Sequence, residues 1–416
     1  MKNITFTTLF VFFTTLGVNA QIIDTVSIGG NYEDQVWYKL DNGQQTIVDG
    51  SSWDFGFQIK GQNASIIANT SYGSTLYLYP NGDTSAWNNL DTLGISQWTS
   101  WFDSPTSWDE GAFNQGINPA DPFDLGWGKY NMQTHHIVGD SLYVWKTADG
   151  TVYKIWIQNL ISSTYNFIVS DYTGTTVDTI SLNKSDFKDK EFGYYSIAQK
   201  TTLDREPKSE DWDLTIGKYT EDLGIPYAVT GIRTKKGLEA VKVYPVDDVD
   251  NYDSFKNQTY SSEINIIGYD WKTYDFNSAS YLIEDSTVYF VKTDSTTYWK
   301  LVMKGFEGSV NGNFIFEKSN LTTGLFKGSI DQGTFTVYPN PVADGKVSVI
   351  TDVPSTVRKA ELSILSINGQ LVQSEQLQIN KSFEVHSLNL KNLKQGVYFI
   401  RLSHEGGAIT QKLIIK

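Results

Sequence analysis

An all-β fold is predicted for this 416-residue chain, on three observations. Short runs rich in Val, Ile, Tyr, Trp and Thr alternate with clusters of Gly, Asn and Asp. No stretch keeps a helical apolar period over several turns. One Trp-Asp strand signature occurs twice, in the same context. The predicted architecture is two tandem β domains, residues 21–175 and 185–320, a linker at 321–334, and an immunoglobulin-like β-sandwich at 335–416. A chain of this length can bury two or three separate cores.

Residues 1–20 carry Lys2, an apolar run Leu9-Phe10-Val11-Phe12-Phe13 and a small-residue ending Val18-Asn19-Ala20. The run is too short to span a bilayer and has the layout of a cleavable secretory signal. No transmembrane segment is expected elsewhere. The chain has no cysteine, which excludes disulfides, thiol nucleophiles, zinc-thiolate sites and a lipid-modified amino-terminal cysteine.

Charge is unevenly spread. The formal total is −14, with +1 in residues 1–20, +3 in residues 335–416 and −18 between them. An acidic body repels phosphate backbones, so nucleic acid is not an expected partner.

Strands are expected in the first copy at residues 35–40, 53–60, 74–79, 142–147, 152–158 and 165–170. Asp149-Gly150 lies between two of them as a hairpin signal. The repeat itself rests on ordered anchors. Trp37-Tyr38 and Ser52-Trp53-Asp54-Phe55 are answered by Tyr194-Tyr195 and Asp211-Trp212-Asp213-Leu214. Trp127 and Tyr130 are answered by Trp271 and Tyr274, and Lys146 to Ile155 by Lys292 to Leu301.

Nine of the twelve tryptophans lie in the first copy, several in an irregular stretch between Ala86 and Trp127. Trp98, Trp101, Trp108, Trp127 and Tyr130 are therefore candidates for stacking a flat ligand, a porphyrin or a sugar face. The alternative is that these rings fill the core beneath a long loop. The matching stretch of the second copy is acidic instead, with Asp247, Asp248, Asp250 and Asp253, and lacks the spacing of a calcium loop. For Trp53-Asp54 and Trp212-Asp213 a structural role is expected, with the ring buried and the carboxylate holding a turn.

Residues 335–416 open Phe335-Thr336-Val337-Tyr338-Pro339-Asn340-Pro341. They continue through Asn368-Gly369-Gln370-Leu371-Val372 and Leu393-Lys394-Gln395-Gly396-Val397-Tyr398 to a tail ending in Lys416. In this order the motifs resemble the type A sorting domain of the type IX secretion system. The resemblance implies export across the outer membrane through that machinery, with the protein ending outside the cell or on its outer surface.

The duplicated body resembles the HmuY family, β-rich surface or secreted proteins whose founding members bind haem. The residues that carry the resemblance are the two Trp-Asp pairs, Trp127 to Tyr130, Thr134-His135-His136-Ile137, Tyr143 to Gly150 and Tyr153-Lys154-Ile155. The second copy keeps Val288 to Lys292 but has Asn277-Ser278-Ala279-Ser280 in place of the histidines. What the resemblance implies is a haem or porphyrin ligand. Among residues able to ligate haem iron, Met132, His135 and His136 cluster beside Tyr130. Adjacent strand histidines point to opposite faces, so at most one would face a given pocket. No second axial ligand is evident, and no other metal site or catalytic residue is expected. No nucleophile elbow, zincin, phosphate-loop or dinucleotide fingerprint occurs, and nothing singles out a carboxylate pair.

The expected function is thus non-enzymatic binding at the cell surface or in the medium, with haem as ligand. The alternative is a structural or adhesive protein that recognises glycans or proteins without a metal cofactor.

Overall fold

A computed structural model describes residues 22–321, 334–353, 357–366, 370–381, 383–404 and 407–416. The expected secretory signal at 1–20 lies outside the described residues, as does nearly all of the expected linker at 321–334. The chain divides into two compact units, with the boundary between Thr322 and Thr323.

In the larger unit, the first sequence copy supplies β1 (Ile22–Ser27), β2 (Asp34–Tyr38), β3 (Gln45–Asp49), β4 (Phe55–Gln58) and β5 (Ile66–Ala68). It continues through β6 (Thr75–Leu78), β7 (Ser100–Trp101), β8 (Gly128–Asn131), β9 (His136–Gly139), β10 (Tyr143–Lys146), β11 (Val152–Ile161) and β12 (Thr164–Asp171). The second copy supplies β13 (Val177–Asn183), β14 (Phe192–Ser196), β15 (Thr201–Leu203), β16 (Leu214–Asp222), β17 (Pro226–Thr234) and β18 (Glu239–Val243). It ends with β19 (Lys272–Asp275), β20 (Ser280–Ile283), β21 (Val288–Lys292), β22 (Tyr298–Phe306) and β23 (Asn313–Asn320). Among the described residues the one α-helix is Gly308–Asn311, a single turn, and the fold is all-β.

Pairing follows a pattern that local sequence does not dictate. Strand β4 pairs with β14, and its counterpart β16 pairs with β2. The two registers are the same: Tyr195 lies opposite Phe55 as Tyr38 lies opposite Leu214, and Tyr194 opposite Gly56 as Trp37 opposite Thr215. Likewise β13 pairs with β12 and β1 with β23, with Asn183 opposite Thr164 and Ser27 opposite Asn313. Even the bulges match, between Ile157 and Asn159 in β11 and between Met303 and Gly305 in β22.

The copies therefore correspond strand for strand apart from β7, which has no counterpart in the second, while the opening strands of each complete the core of the other. One core joins Phe55, Phe57, Trp127, Trp145 and Phe167 to Leu182, Phe187, Tyr195 and Ile197. The second joins Val26, Ile28, Val36, Tyr38 and Leu40 to Leu214, Ile216, Trp271 and Phe316. The boundaries expected at 175 and 185 thus separate sequence copies but not cores. Residues 177–203 pack with the first copy, and residues 22–49 with the second.

The connection between β12 and β13 supplies the physical reason. It spans only residues 172–176, and Asp171 caps it by accepting from Thr173 Oγ1 at 2.7 Å, Thr175 N at 3.0 Å and Thr176 N at 2.6 Å. A turn this short can only lay β13 antiparallel beside β12. Burying a large apolar side chain contributes about 1.5–3 kcal/mol, so the several core residues on each exchanged segment hold it as firmly as its ladder does.

The smaller unit is a sandwich of β24 (Thr334–Tyr338), β25 (Lys346–Asp352), β26 (Lys359–Ser366), β27 (Leu371–Gln378), β28 (Phe383–Asn389), β29 (Gly396–His404) and β30 (Gly407–Ile415). A three-stranded sheet, β24-β25-β28, and a four-stranded sheet, β27-β26-β29-β30, contribute to one core that includes Val349, Leu362, Ile400, Leu402 and Leu413.

Candidate functional site

The Trp-Asp strands prove to be the pins of the exchange. The Asp54 N–H donates to Tyr195 O at 2.9 Å, and the Asp213 N–H to Tyr38 O at 2.9 Å. Asp54 Oδ2 accepts from Ile197 N at 2.7 Å, and Asp213 Oδ2 from Leu40 N at 3.0 Å. The remaining oxygens differ: Asp54 Oδ1 takes Trp145 Nε1–H at 3.1 Å, whereas Asp213 Oδ1 takes Lys39 Nζ at 3.0 Å. Each carboxylate grips the strand arriving from the other copy, as a structural role requires.

Because the two exchanged sheets lie next to one another, β15-β14-β4-β5 and β17-β16-β2-β3 border one crevice. Equivalent positions from both copies line it: Trp53 with Trp212, Tyr194 with Trp37, and Ile67 with Arg233. Trp108 and Asp103 reach it from the tryptophan-rich stretch. Its inner space is about 40 Å³, room for about three water molecules and far less than a porphyrin needs.

Charged side chains line the crevice, Asp103, Glu191, Glu206, Lys218, Arg233 and Lys236, and Arg205 packs on three of its rings. Arg205 donates from Nη1 to Gln35 Oε1 at 2.7 Å and from Nη2 to Asp49 O at 2.9 Å. Its guanidinium lies 5.1 Å from the centre of Trp37, 5.6 Å from Trp53 and 5.1 Å from Tyr194, and so locks three wall rings in place. Glu206 accepts from Glu191 N at 2.8 Å and Tyr194 Oη at 2.9 Å, and burial pushes its pKa up to about 7. Asp103 Oδ1 accepts the N–H groups of Ala68 and Ala112, both at 2.9 Å, and burial raises its pKa to about 6. Both carboxyls thus lean toward the neutral acid.

Several polar atoms of the walls have no hydrogen-bond partner among the described residues: Trp53 Nε1, Trp212 Nε1 and Tyr219 Oη. Their residues are only 8%, 3% and 4% exposed. A dry, unpaired donor costs about 1–3 kcal/mol, so a cluster of them marks a place built to meet something polar.

The stacking candidates fall in different places. Trp108 lines the crevice, with Nε1–H donating to Thr234 O at 2.9 Å. Trp127 is a core residue, completely buried, and donates to Ala64 O at 3.0 Å. No face of it is open to a ligand, because it packs in the first core just before β8 begins at Gly128. Trp98 packs edge-on against Tyr79 at 5.7 Å, and Trp101 against Tyr143 at 6.2 Å, both half-buried. Tyr130 stacks on Phe123 at 6.4 Å.

Met132, His135 and His136 are together on the β8–β9 hairpin, away from the crevice. Met132 is 64% exposed, His135 is exposed, and His136 is half-buried. His135 Nδ1 is 2.8 Å from Tyr130 Oη. His135 has φ of 58°, and Ala279, at the same turn position of β19–β20, has φ of 51°. The turn conformation is thus shared by both copies whatever side chain it carries. No group of three or more His, Asp or Glu side chains that could hold a metal ion occurs among the described residues. Arg205, Arg233, Asp103 and Glu206 escaped the sequence reading, since none sits in a motif.

Residues 336–416 match the family model of the secretion system C-terminal sorting domain. The tail is therefore a type IX export domain, which indicates delivery to the cell surface or the medium through that machinery. No helix among the described residues is long and apolar enough to cross a membrane. No curated protein matches the chain.

Proposed function

We propose that the body is an exported, non-enzymatic binding module whose ligand enters the crevice between the two exchanged sheets. The observation that carries this reading is the convergence of equivalent aromatic residues from both copies, Trp53 with Trp212 and Trp37 with Tyr194, around unpaired buried donors. Aromatic walls with a few polar groups are the usual make-up of a small-molecule site. The sorting domain at 336–416 puts such a site where extracellular ligands are met. A glycan array probed with full-length protein tests it, alongside Thr220→Trp, which places a bulky ring at the crevice wall. Recognition should be lost in that variant, and undiminished recognition removes the crevice from consideration.

Haem, as in the HmuY-like reading of the two copies, is the second proposal. What favours it is the grouping of Met132, His135 and His136 beside Tyr130 on one exposed hairpin. Haemin titration should then give a Soret shift that disappears in the double variant His135→Ala, His136→Ala. No shift in the native protein leaves glycan or protein adhesion as the reading.

A further inference from the structure

We propose that Arg233 is an anion-binding residue, and that the crevice receives a small oxyanion group, a carboxylate or sulfate, borne by the ligand. This rests on the crevice being the binding site. The guanidinium of Arg233 lies 4.3 Å from the centre of the Trp108 ring and 4.8 Å from that of Tyr219. Both rings are thus within cation–π range of Arg233. Its in-plane N–H groups, which form the fork that grips a planar oxyanion, make no hydrogen bond or ion pair among the described residues. Asp103 is near enough to act on it electrostatically yet forms no ion pair, and one oxygen of that carboxylate already serves two backbone donors.

Arg233 is half-buried, and a cation drawn partly out of water with no ionic partner gives up solvation that only the two rings offset. The fold does not need it. The equivalent position of the other copy is Ile67, in the same register with Gly56 as Arg233 has with Thr215. The charge is a departure from a shared scaffold, placed where the crevice is.

The surroundings fit an anion better than a cation or a neutral group. Tyr219, Trp53 and Trp212 also line the crevice, and Tyr219 Oη and the two Nε1 atoms are buried donors with no hydrogen-bond partner among the described residues. Lys218 stands 4.4 Å above the Tyr72 ring, and its Nζ has no hydrogen bond or ion pair among the described residues. Burial raises the pKa of Asp103 to about 6 and of Glu206 to about 7, so both carboxyls oppose an anion less as the pH falls below those values. The crevice is lined by Lys218, Arg233 and Lys236 beside Asp103, Glu191 and Glu206, inside a body whose overall charge is strongly negative. Its inner space of about 40 Å³ suits the oxyanion group alone, with the rest of the ligand outside.

Calorimetric titration and tryptophan fluorescence of the full chain with sodium sulfate, glucuronate and glucose test the assignment. Glucuronate should bind saturably and glucose should not. Arg233→Gln should weaken glucuronate at least tenfold without lowering the melting temperature, because a charge with no ionic partner is being removed, and Arg233→Lys should recover part of the loss. Sulfate binding as well as glucuronate points to a general oxyanion site, whereas glucuronate alone points to a sugar carboxylate. Equal binding of glucose and glucuronate, both lost in Thr220→Trp, overturns the anion assignment and leaves the crevice reading standing. Glucuronate binding that ignores both Arg233→Gln and Thr220→Trp overturns both. The absence of any response to the two anions, or a large loss of melting temperature in Arg233→Gln, overturns the assignment of Arg233.

Discussion

Asp54 and Asp213 make the same pair of backbone contacts in opposite directions: Asp54 holds Ile197 and Asp213 holds Leu40. Each of two related halves is fastened by a carboxylate belonging to the other's partner strand. Replacing either with Ala should remove these bonds and leave a buried N–H unpaired, at about 1–3 kcal/mol per lost contact. Urea unfolding followed by far-UV circular dichroism should show similar losses for Asp54→Ala and Asp213→Ala. A negligible loss in both variants shows that packing alone fastens the exchanged strands.

The exchange also couples the two cores. Phe316 lies in the second core and Trp145 in the first, with no shared core cluster. Phe316→Ala should cost about 3–5 kcal/mol and lower the unfolding midpoint of both cores together, because residues 22–49 and 177–203 tie them. Tryptophan fluorescence and calorimetry should report one transition for the larger unit. Two resolved transitions, with only one shifted, contradict that coupling.

Glu206 gives the crevice a pH signature. Its pKa rises from 4.5 in the unfolded chain to about 7 in the folded one, because burial disfavours the carboxylate. The folded state therefore binds the extra proton between those values, so this contribution is fully present below pH 4.5 and fades as pH rises through about 7. The change is on the order of 3 kcal/mol. Glu206→Gln, which cannot ionise, should flatten the fall in stability between pH 5 and 8 relative to the native chain. Parallel curves in denaturant titrations across that range refute it.

Trp127 and Trp98 separate packing from surface aromatics. Trp127 is fully buried with its N–H satisfied, so Trp127→Ala should cost about 3–5 kcal/mol. Trp98, half-buried against Tyr77 and Tyr79, should cost clearly less. Comparison of the two urea midpoints decides it, and equal costs would show that Trp98, at the edge of the Tyr79, Leu90, Leu142 and Val144 cluster, carries as much packing as a fully buried ring.

The tail makes its own prediction. Removing residues 335–416 should leave the body inside the outer membrane, since those residues carry the sorting domain. Immunoblots of cell fractions and medium follow this directly. Surface delivery of the truncated chain means that another segment carries the address.

Much of this was written locally in the chain. Runs rich in Val, Ile, Tyr, Trp and Thr between clusters of Gly, Asn and Asp marked β2, β4, β6, β10, β11 and β12, because such side chains suit an extended chain and such turn residues interrupt it whatever lies beside them. The turn chemistry of Asp149-Gly150, with Gly150 at φ of 90°, and the motif series of the tail depend only on neighbouring residues. Repetition of Trp-Asp likewise revealed two related halves. Which half a strand completes is a different kind of fact. Since Tyr38 opposite Leu214 and Tyr195 opposite Phe55 have one register, either pairing satisfies the local pattern, and only the short turn at residues 172–176 selects the exchange. The crevice exists because of that choice. Whether Arg233 is paired or free depends on which carboxylates approach it from distant strands, so tertiary structure alone decided that its charge is unspent.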